Sequence, residues 1–277
     1  MSGFPASRLL LCLSAIGWAL GTGWAQTPPT NAPAPLSADV QFSTAAPYGS
    51  GQELIRRLGI KWPPAPSDLA LEKFRIVIPQ NYSTNTAWGL LVWVSPSDEP
   101  RVPLAWEQEL ASHKLLLASP YRAGNSRDAI ERCRIALDAT CNMCRQYRID
   151  PERIYIAGFS GGGRIASILG VAYADVFSGC LAVCGVDFYQ NIAAGVGEFY
   201  PATYRPDARV LLRARDHGRF VLLTGEADPN RANTKATAEL GFKGSGFKHV
   251  TYMEVKGMKH ALPGPEVLAA ALRSLGP

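Results

Sequence analysis

Charge is scarce in this chain, and histidine is scarcer still. Charged side chains make up 18% of the 277 residues against 47% apolar ones, a balance that excludes a disordered chain and supplies a real core. The formal net charge is only +5, and Lys and Arg lie scattered without a block or stripe. That excludes the electrostatic footprint of a nucleic-acid binder. Beyond the N-terminal leader no apolar run is long enough to span a membrane. No segment repeats another. The length suits one domain of ordinary to large size, or two small ones.

The N-terminus has its own pattern. Arg8 precedes an apolar run from Leu9 to Leu20, and small residues then lead to Gly23-Trp24-Ala25. A basic start, an apolar centre and a small-residue end predict a signal peptide cleaved near Ala25, and hence a secreted or periplasmic protein with no stable membrane insertion once the leader is gone. Residues 26–50, rich in Pro, Ala, Thr and Ser, read as a disordered spacer. Residues 51–277 read as one domain. Removing the leader leaves Cys133, Cys141, Cys144, Cys180 and Cys184, an odd set in which at least one thiol is unpaired or bonds another chain. Export permits disulfides, whose pairing the sequence does not specify. The Cys141-x-x-Cys144 pair falls inside an expected helix, not at a helix start after a strand, so a redox motif is not expected there.

From Phe74 onward, short apolar runs alternate with amphipathic segments. Strands are expected at 74–78, 89–94, 115–118, 153–157, 179–183, 219–224 and 250–255. Helices are expected at 52–62, 103–112, 128–147, 162–173, 233–240 and 265–275. Continuous apolar strands between helices predict an α/β fold, a mostly parallel central sheet covered on both faces. Residues 186–208 break the rhythm and read as a small insertion.

The chemistry starts at Gly158-Phe159-Ser160-Gly161-Gly162, between an expected strand and an expected helix. A serine hydroxyl is a poor nucleophile without a base beside it. A sharp strand-to-helix turn flanked by glycines pushes the side chain out to where a histidine can reach it. The helix behind points its N-terminus at developing negative charge, which makes the Gly161 N–H the first candidate oxyanion donor. Arg164 follows, with no Gly-Lys-Ser/Thr ending, so a phosphate-binding loop is excluded.

Only four histidines are present: His113, His217, His249 and His260. His260 alone sits in a loop just after a late strand, with a final helix behind it, where a general base would enter. The acid that orients it is expected at Asp228, in the loop after the strand ending at Thr224. Asp187, after the strand 179–183, is the rival, and Glu226 is a weaker neighbour. The chain order serine, acid, histidine is that of an α/β-hydrolase.

The stretch Ile149-Asp150-Pro151-Glu152-Arg153-Ile154-Tyr155-Ile156-Ala157-Gly158-Phe159-Ser160-Gly161-Gly162-Gly163 resembles the polyhydroxybutyrate-depolymerase-like esterases, which include secreted feruloyl and acetylxylan esterases. Residues 74–275 resemble an α/β-hydrolase as a whole. The resemblance implies hydrolysis of a small-molecule or polysaccharide-linked ester through an acyl-enzyme, with Ser160, Asp228 and His260 as the triad and neither cofactor nor metal. One departure stands out. Relatives often carry His-Gly after the early central strand, where an oxyanion N–H is supplied. Here the strand ends Val92-Trp93-Val94-Ser95-Pro96-Ser97, and proline has no N–H to give. The second donor is then expected at Ser95 or Ser97. Phe159, Phe188, Tyr189 and Tyr200 are candidates for contact with substrate, although the aromatic residues of 188–204 serve equally well to pack the insertion onto the body. A small serine peptidase and a non-catalytic binding protein are the rival functions.

Overall fold

The computed structural model describes residues 37–65 and 68–276. The leader expected at 1–25 and the first part of the expected spacer lie outside the described residues.

Among the described residues, ten strands and seven α-helices follow in order. The strands are β1 (Ser37–Val40), β2 (Phe74–Val77), β3 (Trp88–Val94), β4 (Leu115–Pro120), β5 (Ile149–Phe159), β6 (Gly179–Val183), β7 (Ile192–Gly195), β8 (Glu198–Tyr200), β9 (Arg219–Gly225) and β10 (His249–Val255). The helices are α1 (Gly51–Leu58), α2 (Glu107–Ser112), α3 (Ala129–Gln146), α4 (Gly161–Ala172), α5 (Ala208–His217), α6 (Arg231–Ala236) and α7 (Pro265–Leu275). Eight strands form one sheet in the order β1-β2-β4-β3-β5-β6-β9-β10. β1 and β2 are antiparallel to their neighbours, and the remaining pairs are parallel.

The central strands are apolar in every position because both faces are covered. In β3 all seven residues are buried. Leu90, Val92 and Val94 join one core cluster with residues of α3 and α4, whereas Leu91 and Trp93 join the other with Leu268, Ala271 and Leu272 of α7. The two-residue period of a strand thus divides one hydrophobic run between two cores.

Three features depart from the sequence expectations. Residues 37–50, assigned by composition to the spacer, carry β1 and a 3-10 turn at Pro47–Gly49. β1 has little apolar content to announce it. Pairing with β2 holds it, together with the Asp39 carboxylate, which accepts from the Tyr121 hydroxyl at 3.0 Å and pairs with Lys73 and Arg75. The first helix ends at Leu58 rather than Trp62, because Gly59 takes the left-handed conformation (φ 66°) that closes a helix. The helix α5 was not expected. Its apolar stripe is thin, with only Val210 and Ala214 buried, and Asp207 caps it by accepting from the N–H groups of Arg209 and Val210. The insertion near 186–208 contains the antiparallel ribbon β7–β8.

The five cysteines from Cys133 to Cys184 are all free thiols. Burial pushes Cys133, Cys144 and Cys184 up to about 12, which keeps them protonated.

Candidate active site

The elbow between β5 and α4 begins with close packing. A Cβ at Gly162 would collide with the Val94 carbonyl, and one at Gly158 would collide with the Gly162 carbonyl and lie 2.8 Å from Val94 O. Only glycine lets helix and strand approach so closely. Ser160 itself has φ 55° and ψ −120°, a region that L-residues rarely occupy. It is locked there by its N–H, which donates to Val183 O at 2.7 Å, and by its carbonyl, which accepts from Arg164 N at 3.2 Å. The strained turn presents the hydroxyl at the C-terminal edge of the sheet.

His260 and Asp228 reach the same edge from the loops after β10 and β9. His260 Nε2 lies 2.9 Å from Ser160 Oγ, and His260 Nδ1 lies 2.8 Å from Asp228 Oδ1. Asp228 is buried. Burial opposes its ionisation, but hydrogen bonds from the Asn230 N–H, His260, Thr224 and Cys184 outweigh that cost and hold its carboxyl below the ordinary carboxylate range. Thr224 Oγ1 donates to Asp228 Oδ2 at 2.7 Å, and Asn230 N donates to Oδ1 at 3.1 Å. The Asn230 side chain in turn donates to Cys184 O at 2.8 Å, tying the acid's loop to the end of β6. Sequence reading missed Thr224 and Asn230. The only signal was their spacing, four residues before and two after a loop aspartate.

Cys184 Sγ, an Asp228 carboxylate oxygen and a His260 ring nitrogen lie within 4.8 Å of one another. Such a set has the donors of a metal site. Here the carboxylate and the imidazole already bond each other, and the thiol stays protonated.

The rival acid, Asp187, is engaged elsewhere. Its Oδ1 accepts from Arg164 Nη1 at 2.6 Å, and its N–H donates to Ser167 Oγ at 2.9 Å. Glu226 accepts from the Gly257 N–H at 2.9 Å. His113 Nδ1 sits 2.9 Å from Glu109 O at the end of α2.

The expected oxyanion donors after β3 behave differently from one another. The Ser97 N–H donates to Ser95 Oγ at 3.2 Å, so it is spent inside its own turn. Both hydroxyls also bond Glu99 O, at 3.1 Å from Ser95 and 2.9 Å from Ser97. Ser95 is fully buried, and its carbonyl accepts from Arg132 Nη2 at 3.2 Å. The expectation for Ser97 is therefore corrected: Ser97 belongs to a closed turn that Pro96 helps to shape. Gly161 stands at the first position of α4.

Two clefts open beside the elbow, one bordered by Phe159 and the other by Arg164 and Asn230. One of about 390 Å³ is lined by Trp93, Ser95, Pro96, Ser97, Arg101, Phe159 and Leu262. It is mainly apolar, and the Phe159 ring lies 4.8 Å from the His260 ring. The other, about 280 Å³, is of mixed character, with Arg164, Asp187 and Asn230 beside Val186, Phe188, Ile192 and Tyr200. Tyr200 and the edge of Phe188 therefore face a cavity. Tyr189 does not line it. Its ring packs 4.3 Å from that of Phe188, and its hydroxyl accepts from Arg215 Nη2 at 2.9 Å, so it fastens the insertion to the body.

The fold and this geometry define an α/β-hydrolase. Residues 129–212, which include the Ser160 elbow, match the family described as esterase PHB depolymerase. The poly(3-hydroxyalkanoate) depolymerase C of Paucimonas lemoignei is 26% identical over 113 residues, which are 41% of this chain and 21% of that protein. The chain thus matches about a fifth of that relative's length. The S-formylglutathione hydrolase FrmB of Staphylococcus aureus superposes with a TM-score of 0.54 at 12% identity, covering 74% of this chain and 92% of that one. The carboxylesterase EstE1, cloned from a metagenomic library, gives 0.54 at 16% identity over 74% and 83%. The chain has the α/β-hydrolase fold and, over part of its length, is similar to esterases of the PHB-depolymerase type. No helix among the described residues is long and apolar enough to cross a membrane.

Proposed function

We propose that the protein is a serine ester hydrolase working through an acyl-enzyme on Ser160. The observation that carries this reading is the continuous hydrogen-bonded line from buried Asp228 through His260 to Ser160, at 2.8 and 2.9 Å, on a strained elbow. His260 Nε2 takes the hydroxyl proton as Ser160 Oγ attacks the ester carbonyl. Asp228 fixes the ring so that Nε2 faces the serine, and it stabilises the imidazolium. The alcohol leaves with the proton held on His260. A water, deprotonated by His260, then attacks the acyl-enzyme and frees the acid. The apolar cleft and the cleft of mixed lining suit an ester with an apolar part and a part that carries hydroxyl groups, among them esters of hydroxyalkanoates or of polysaccharides. The leader read at the N-terminus puts this activity outside the cytoplasm, and N-terminal sequencing of the exported protein should begin just after Ala25.

A fluorophosphonate probe and short-chain nitrophenyl esters test the reaction. Ser160 should be labelled in the wild type and unlabelled in Ser160→Ala, with ester hydrolysis lost in the same variant. An unlabelled Ser160 in folded wild type would remove the enzyme reading. A matched amide, cleaved as fast as its ester, would favour a peptidase instead.

A further inference from the structure

The Ser97 N–H is spent inside the turn after β3, and a different loop brings a side-chain donor to the elbow. Residues 121–128 follow β4 and fold onto that turn. The Arg122 N–H donates to Asp98 O at 2.6 Å, and the Asn125 N–H donates to Pro96 O at 2.9 Å. Gly124 allows the contact, since a Cβ there would collide with Asp98 and lie 3.0 Å from its backbone nitrogen. Arg127 anchors the far end by pairing with Glu72 at 2.7 Å. The backbone of Asn125 is thereby fixed, while its side-chain amide has no hydrogen-bond partner among the described residues. That amide rests on Gly161. A Cβ at Gly161 would collide with Asn125 Oδ1 and come within 2.8 Å of Cγ and 3.2 Å of Nδ2. The residue after the nucleophile is glycine, and the space its side chain would occupy is taken by an amide from another loop. Turning the amide over exchanges Oδ1 and Nδ2 without moving the group, so its –NH₂ can face the substrate.

We propose that the side-chain amide of Asn125 is the second donor to the substrate carbonyl oxygen, acting with the Gly161 N–H. The proposal rests on the hydrolysis assigned above to Ser160. As the bond from Ser160 Oγ to the carbonyl carbon forms, the hydroxyl proton passes to His260 Nε2 and the C=O π pair moves onto oxygen. The Asn125 Nδ2–H and the Gly161 N–H hold that oxyanion. When the intermediate collapses, the pair returns, the bond to the alcohol oxygen breaks, and that oxygen takes the proton from His260. A donor placed where the charge appears acts on the transition state more than on the bound ester.

The test compares wild type, Asn125→Ala and Asn125→Asp in hydrolysis of nitrophenyl acetate, resolving the acylation rate, and in binding of phenylboronic acid, which forms a tetrahedral adduct with an active serine. Acylation should fall by on the order of 10²–10³ in both variants, with KM within a few-fold of wild type. Boronate affinity should fall in parallel, and thermal unfolding should be unchanged because the side chain is exposed. A merely structural residue would not couple kcat and boronate affinity while sparing KM and stability. Asn125→Asp has the same shape without the donor, so it decides the matter if the alanine variant does not fold. Acylation within threefold of wild type in a folded variant overturns the role of Asn125 and leaves the serine mechanism standing. A wild-type Ser160 that the fluorophosphonate probe does not label removes both.

Discussion

Replacing Ser160 in two ways separates its chemistry from its backbone. Ser160→Ala and Ser160→Gly both delete the hydroxyl, so both should abolish ester hydrolysis and both leave His260 without its serine partner. They differ in what the main chain must accept. At φ 55° and ψ −120° a residue with a Cβ bears about 1–3 kcal/mol of strain. Glycine relieves this but carries more conformational entropy in the unfolded chain, which costs about 0.4–1 kcal/mol. At the midpoints of these ranges the difference leaves Ser160→Gly more stable than Ser160→Ala by about 1.3 kcal/mol. For a domain of this size that is a rise in Tm of about 3–5 °C. Urea unfolding followed by tryptophan fluorescence, with calorimetry beside it, measures the gap. The lost hydrogen bond cancels between the two variants. Should Ser160→Gly prove no more stable than Ser160→Ala, the elbow is not strained, and the argument that stored backbone energy presents the hydroxyl fails.

Further outcomes follow from the same geometry. Asp228→Asn should lower kcat by on the order of 10⁴ because the imidazole loses its orienting charge, whereas Asp187→Asn, whose carboxylate serves Arg164, should leave kcat within a few-fold; equal losses in steady-state assays would contradict the choice of acid. Gly162→Ala should destabilise the fold by on the order of 3 kcal/mol, read by urea denaturation, since its Cβ must displace the Val94 carbonyl. Asp138 in α3 is buried, which pushes its carboxyl up to about 6 although the Ala46 N–H donates to it at 2.7 Å. The folded state therefore binds more protons than the unfolded state between about pH 4 and 6, and stability contributed by this group declines as pH rises through that window. Asp138→Asn keeps the acceptor for Ala46 and removes the titration. Its advantage over wild type should grow to on the order of 2–3 kcal/mol above pH 6, and an advantage that is flat from pH 4 to 7 would refute the assignment.

Where apolar pattern alone decides the structure, the chain was readable. Gly179–Val183 and Pro265–Leu275 form the strand and helix expected of them, with the same bounds. Ser160, Asp228 and His260 each follow a strand at the same sheet edge, a position legible from the strand pattern, and their side chains meet there. The failures share a cause. β1 is Ser-Ala-Asp-Val, and its pairing with β2 and the ion pairs of Asp39 are tertiary facts with no local signature. The helix α5 is mostly polar and is set by its Asp207 cap. The sequence around Asn125 says nothing of Gly161, because 36 positions separate them and only the fold of two loops brings them together. The extent of the expected helix at 233–240 was limited for a similar reason: α6 opens into π-helical turns at Thr237–Lys243, where Phe242 must reach Phe220 and Phe247.

The unpaired thiols carry a practical consequence. No covalent cross-link joins these five cysteines, so the architecture owes nothing to an oxidant. The same molecule should assemble in a reducing cell interior as in an oxidising one, and a producer strain lacking disulfide-forming enzymes should yield it intact.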